Sequence, residues 1–175
     1  MNHPLRLFAL ILAAVMALGA CSLAESAAPS PTPVTRPNVV MLSFPTVSIQ
    51  ADTLDVNVYF PNSPKNAGWY DLVFTLWAAI PEEAVQEDVE TTVYSLANPE
   101  TGAAEDVIFA KLFVSEPVPA GMCLERITLN QPVPEGTYRA ILSVQSYYAD
   151  TGLPTKTGAN TLITLNVIRP ETDNK

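Results

Sequence analysis

Residues 53–60 alternate without a break: Leu54, Val56, Val58 and Phe60 fall on one side, Thr53, Asp55, Asn57 and Tyr59 on the other. A strand with one buried face requires this period of two, whereas a helix would scatter the same residues around its circumference. The pattern returns further along the chain. Residues 69–80 set Tyr70, Leu72, Phe74 and Leu76 against Trp69, Asp71, Val73, Thr75 and Trp77. Residues 137–148 set Tyr138, Ala140, Leu142 and Val144 against Arg139, Ser143 and Gln145. Residues 161–169 set Ile163, Leu165 and Val167 against Thr164 and Asn166. Weaker runs lie at 39–44, 47–50, 89–96, 107–114 and 125–130. Turn-forming clusters such as Pro61-Asn62-Ser63-Pro64-Lys65-Asn66 and Asp150-Thr151-Gly152-Leu153-Pro154 stand between them. About seven to nine short strands separated by turns predict an all-β fold, an antiparallel β-sandwich over residues 38–169 with a tail at 170–175. Pro81 followed by Glu82 and Glu83 predicts one helical turn over 81–86.

The composition changes sharply ahead of residue 38. Residues 22–37, SLAESAAPSPTPVTRP, carry four prolines among small and hydroxyl side chains and offer almost nothing to bury. Such a segment is a disordered, semi-extended linker that reaches roughly 50 Å as polyproline II. Before it, residues 7–18 are an unbroken apolar run that follows Arg6. As a helix this run is about 18 Å long, short of the roughly 20 residues needed to cross a bilayer. A charged start, a short apolar middle and a small-residue end make residues 1–20 a signal peptide.

Leu18-Gly19-Ala20-Cys21 resembles the lipobox of bacterial lipoprotein precursors: an aliphatic residue, two small ones, then cysteine. The resemblance implies that Cys21 becomes the new first residue and carries a diacylglyceryl group, with 21–37 as a lipidated linker. Two acyl chains anchor stably where one holds only marginally. The partner so implied is a membrane, and the location is the extracytoplasmic face of a bacterial cell membrane. The alternative is an ordinary signal peptide with an incidental cysteine.

Eighteen acidic against nine basic residues leave a formal charge of −9 and a pI near 4.4. Such a chain gains nothing from a phosphate backbone, which argues against nucleic acid as a partner. The one histidine, His3, lies in the signal peptide. A mature chain without imidazole has no Ser-His-Asp or Cys-His arrangement and no histidine-bearing zinc site, so neither a cofactor nor a metal is expected. A glycosidase built on two carboxylates needs no histidine, but no pair stands out. The expectation is a protein that is not an enzyme.

Two further stretches carry a resemblance. One is Asn62-Ser-Pro-Lys-Asn-Ala-Gly-Trp69-Tyr70-Asp-Leu72-Val-Phe74. The other runs Leu112-Phe-Val-Ser115, then Pro119-Ala-Gly121, then Ile127-Thr-Leu129-Asn-Gln-Pro132-Val-Pro-Glu-Gly136-Thr-Tyr138-Arg-Ala140. Across residues 53–168 they resemble an uncharacterised domain of bacterial surface lipoproteins, with residues 81–106 as an insertion. The resemblance implies an immunoglobulin-like sandwich. In such sandwiches a tyrosine entering a strand from a turn folds over the corner and bonds its hydroxyl to nearby backbone. That structural role is expected of Gly136-x-Tyr138.

Several stretches offer candidate sites. Trp69, Val73 and Trp77 share one strand face. A strand apolar on both faces is either covered twice or presents an aromatic platform, which Tyr147 and Tyr148 would extend. Residues 82–106 hold eight carboxylates and no Lys or Arg, a solvated surface first and a calcium site second. Asn98-Pro99-Glu100-Thr101-Gly102 looks like a sortase signal, but no apolar span with a basic tail follows it, and it reads as a turn. Cys123, ahead of the 125–130 run, is a small buried hydrophobe rather than a nucleophile. The reading that results is a non-catalytic, lipid-anchored envelope protein that presents an immunoglobulin-like module to an envelope protein or a glycan. A protease-inhibitor-like module and a carbohydrate-binding adhesin using the aromatic face are the alternatives.

Overall fold

The computed structural model describes residues 40–44, 48–51, 54–98 and 100–168, all within the second of two units of the chain, Arg36–Lys175. The expected signal peptide over 1–20, with Leu18, Gly19, Ala20 and Cys21, the expected linker to residue 37 and the 170–175 tail lie outside the described residues. The strands are β1 (Ser48–Ala51), β2 (Asp55–Pro61), β3 (Tyr70–Ala78), β4 (Thr91–Ala97), β5 (Ala104–Val114), β6 (Cys123–Thr128), β7 (Gly136–Tyr148) and β8 (Pro154–Val167). Among the described residues the helical segments are single 3-10 turns, Pro64–Asn66 and Glu82–Ala84, the second capped by Pro81.

The fold is all-β and sandwich-like. One sheet runs β1-β8-β7-β3-β5-β4, and the other pairs β2 with β6. The pairings are antiparallel except for β1 with β8, which run parallel from Ser48 beside Thr164 to Ala51 beside Val167. The antiparallel expectation therefore fails at this one edge. β2 follows β1 closely but lies in the other sheet, so the crossing between sheets sets the direction of β1, and no hairpin does.

Alternation builds the core. Leu72, Phe74 and Leu76 of β3 are fully buried, and Leu112, Leu142 and Leu165 join them from β5, β7 and β8. Val56, Phe60 and Ile127 close the core from the two-stranded sheet. Phe60 and Phe74 stack between the sheets with ring centroids 5.4 Å apart. A smaller cluster covers the outer face of the large sheet, where Tyr94, Leu96 and Val107 pack on buried Trp77, Phe109 and Ile141. Tyr94 and Leu96 come from the 81–106 segment, which widens the sheet by adding β4.

Local chemistry explains where the strands depart from the sequence expectation. Residues 40–44 form no strand because Asn66 takes the place of a strand partner. Met41 N–H donates to Asn66 Oδ1 at 3.0 Å, and Asn66 Nδ2 donates to the Met41 carbonyl at 2.9 Å. β3 starts at Tyr70, since Trp69 N–H closes a turn on the Asn66 carbonyl at 3.0 Å. β8 starts early, at Pro154. Across a register shift, Gln145 Nε2 reaches the carbonyls of Thr155 and Thr157, each at 3.0 Å.

Two strands cannot cover six. Beyond the reach of the small sheet, the core-side face of β4 and the adjoining part of β5 has no strand opposite among the described residues. Val93 and Ile108, paired across these strands, are 59% and 52% exposed there.

Candidate functional site

Several polar residues of the two resemblance stretches, Asn62, Asn66, Ser115 and Tyr138 among them, work inside the domain. Asn62 is 1% exposed. Its Nδ2 donates to the carbonyls of Tyr70 (3.1 Å) and Val118 (2.8 Å), and its Oδ1 accepts from Asn66 Nδ2 at 2.7 Å. Its main chain bonds Met122 and Gly121, each at 2.9 Å. Gly121, at φ +81°, is the third residue of the turn that Met122 N–H closes on the Pro119 carbonyl at 3.1 Å. A left-handed residue is what such a turn requires there. Ser115 Oγ accepts from Phe74 N–H at 3.0 Å, continuing the pairing of β3 where β5 ends.

Tyr138 folds over the corner that enters β7. Its hydroxyl donates to the Pro134 carbonyl at 3.0 Å and lies 3.4 Å from that of Glu135. Burial pushes the hydroxyl above its ordinary pKa. Gly136 makes room for the ring: a Cβ there would sit 3.0 Å from Tyr138 Oη and 3.1 Å from Cζ. Tyr138→Phe is expected to destabilise the domain by about 1 kcal/mol, the net worth of one hydrogen bond. Urea melts of the two proteins check it, and coincident midpoints would contradict the role.

The four candidate aromatics do not converge. Trp77 is 8% exposed, beneath Tyr94, Phe109 and the Lys111 ammonium, whose Nζ lies 5.0 Å from the ring centroid. Trp69 is half-buried in the turn before β3, about 27 Å from Trp77 along the strand. A platform of both tryptophans is therefore not formed. Tyr147 pairs with Asp71 on the face that Trp69 shares, while Tyr148 pairs with Tyr70 on the opposite face, rings 5.9 Å apart.

Cys123 opens β6, half-buried, with Sγ 3.3 Å from the Leu124 carbonyl. Burial pushes its thiol above the ordinary value, the opposite of what an activated nucleophile needs.

The acidic segment is spread over residues 82–90 ahead of β4, the β4–β5 turn and the start of β5. Glu90 pairs with Lys111. Glu105 accepts from Asn98 Nδ2 at 2.8 Å and from Arg139 Nη2 at 2.5 Å, and these two bonds hold its carboxyl below the usual range. Asn98 also caps the β4–β5 turn, its Oδ1 accepting from the N–H groups of Glu100 and Thr101. Among the described residues no three acidic, histidine or cysteine side chains are grouped as metal ligands.

One concavity joins the uncovered face of β4 and β5. A groove of 380 Å³ is lined by Ile80, Val85, Val89 and Ile108, with Glu82 and Glu87 among its walls. Its outer wall, the 82–86 turn, is pinned by Gln131, a fully buried residue whose Oε1 accepts from Gln86 N–H at 2.8 Å. Sequence reasoning did not reach this site. The alternation in β4 is legible locally, but that β4 ends a sheet depends on β5 pairing β3 on its other side. Comparison with models of protein families, with characterised proteins and with solved structures finds no match for this chain.

Proposed function

We propose that the chain is a non-catalytic, lipid-anchored envelope protein that holds an immunoglobulin-like binding module away from a bacterial membrane. The observation that carries this reading is Leu18-Gly19-Ala20-Cys21, placed after a short apolar run and before a proline-rich linker. Strand order supports the immunoglobulin-like part: β3, β7 and β8 lie side by side as strands C, F and G do, and β2 pairs β6 as B pairs E. The Tyr138 bond at the start of β7 is where strand F carries its corner tyrosine. The natural ligand class is an envelope polypeptide. A glycan platform built on Trp69 and Trp77 lacks the second ring, because Trp77 is buried.

Expression of the chain and of Cys21→Ser in a bacterium tests the anchor. The unaltered chain is expected in the membrane fraction, with a mature amino terminus at Cys21 whose mass includes a diacylglyceryl group. Cys21→Ser is expected to lose that modification and the processing at residue 21. A chain that keeps residues 1–20, or two proteins that fractionate identically, would overturn the reading.

A further inference from the structure

We propose that the free edge of β4 takes an added strand from a basic polypeptide partner, with a Lys or Arg side chain of that strand lying in the groove beside Glu82 and Glu87. The β4–β5 ladder decides which groups are free. Lys111 N–H donates to the Glu90 carbonyl and Asn98 N–H to the Ala103 carbonyl, both at 2.8 Å. Hydrogen-bonded pairs alternate in antiparallel pairing, so Thr92, Tyr94 and Leu96 also turn their main-chain groups toward β5. Val93 and Ser95 turn theirs to the open side, where no described residue meets them.

Proteins usually blunt such edges with charge, proline or brevity. β1 is four residues long, and β6 carries Glu125 and Arg126. β4 reads Thr-Thr-Val-Tyr-Ser-Leu-Ala, seven residues without a charge, a proline or a glycine. An extended peptide gains main-chain bonds from an edge of this kind and specificity from the pockets beside it.

Charge identifies the occupant. Residues 82–106 hold no Lys or Arg, and Glu82 and Glu87 wall a groove otherwise lined mainly by aliphatic side chains. A long aliphatic stem with a cationic head satisfies both surfaces at once. A second copy fits poorly: antiparallel self-pairing of β4 would bring the acidic stretch ahead of β4 in one copy, 82–90, beside the acidic 100–106 stretch of the other, like charge near like. The proposal rests on reading the module as a binding domain and is independent of the anchor. Failure of Cys21 acylation leaves the following test readable, and loss of edge binding leaves anchoring intact.

The test is amide hydrogen exchange on the purified full chain, with a synthetic peptide of about ten residues that alternates Lys with Val and Thr. Exchange at Val93 and Ser95 is expected to slow about tenfold or more on adding the peptide, while Thr92, Tyr94 and Leu96, already bonded to β5, stay unchanged. The same peptide with Glu in place of Lys is expected to give no protection. Glu82→Gln combined with Glu87→Gln, both on the surface, should weaken binding about tenfold, the loss of exposed but convergent charge contacts. Val93→Pro removes an outward N–H that β5 does not use, and is expected to abolish protection at Ser95. Unchanged exchange at Val93 and Ser95 with millimolar lysine peptide overturns the proposal, as does equal protection by the glutamate peptide. Protection that arises on concentrating the chain alone assigns the edge to a second copy, and likewise overturns the basic partner.

Discussion

Asn62→Ala is expected to lower the stability of the domain by about 3 kcal/mol, read as a fall in the urea midpoint at constant m value. The substitution removes two donors and one acceptor from a site that water does not reach. The loss stays below a simple sum of three orphaned groups. Val118 keeps the N–H of Leu72 on its carbonyl, and Asn66 keeps Met41. Asn62→Asp sharpens the test, because it preserves shape and removes the donors. At neutral pH a carboxylate there would face two carbonyls and is expected to cost more than alanine. Burial raises the pKa of such a carboxyl, so its deficit should shrink as the pH falls and the group takes up a proton. A stable Asn62→Ala protein with an unchanged midpoint would mean that the 40–44 segment and the 118–122 turn are held by something else.

Phe74→Ala is expected to cost about 4 kcal/mol, the upper part of the range for deleting a fully buried aromatic ring. The side chain is completely buried at the middle of β3, between two sheets that cannot collapse into the space it leaves. Phe74→Leu retains most of the volume and should cost about 1 kcal/mol. Phe60 stacks on the same ring, so the double substitution to alanine is expected to fall short of additivity by about 1 kcal/mol. Urea melts of the two single variants and the double variant supply the cycle. Full additivity would show that the rings contribute volume alone.

What the sequence makes legible here is whatever repeats locally. The faces of β3, β7 and β8 follow from period two, and the burial of Leu72, Phe74 and Leu142 follows from those faces. The corner at Gly136 and Tyr138 is also readable, since both residues act within a few positions of each other. The direction of β1 is not, because it depends on a crossing between sheets. Nor is the work of Asn62 and Asn66, whose partners lie as far off as Met41 and Val118. Trp77 shows the same limit from the other side: its alternation is compatible with exposure, and only the placement of β4 and β5 covers it. The groove beside Glu82 is invisible for that reason as well.

The parallel pairing of β1 with β8 has a mechanical consequence. β1 and β4 are opposite edges of one sheet, about 24 Å apart at the usual interstrand spacing. A pull on the chain ahead of Ser48, against a grip on β4, crosses every ladder of that sheet in series. The β1–β8 ladder comes first and has four register pairs, the shortest in the series alongside β3–β5. A pull that runs along the strand axis shears these pairs together instead of unzipping them one by one. Under such a pull the domain meets tension through a short joint loaded in its stronger direction, with the sheet interior behind it.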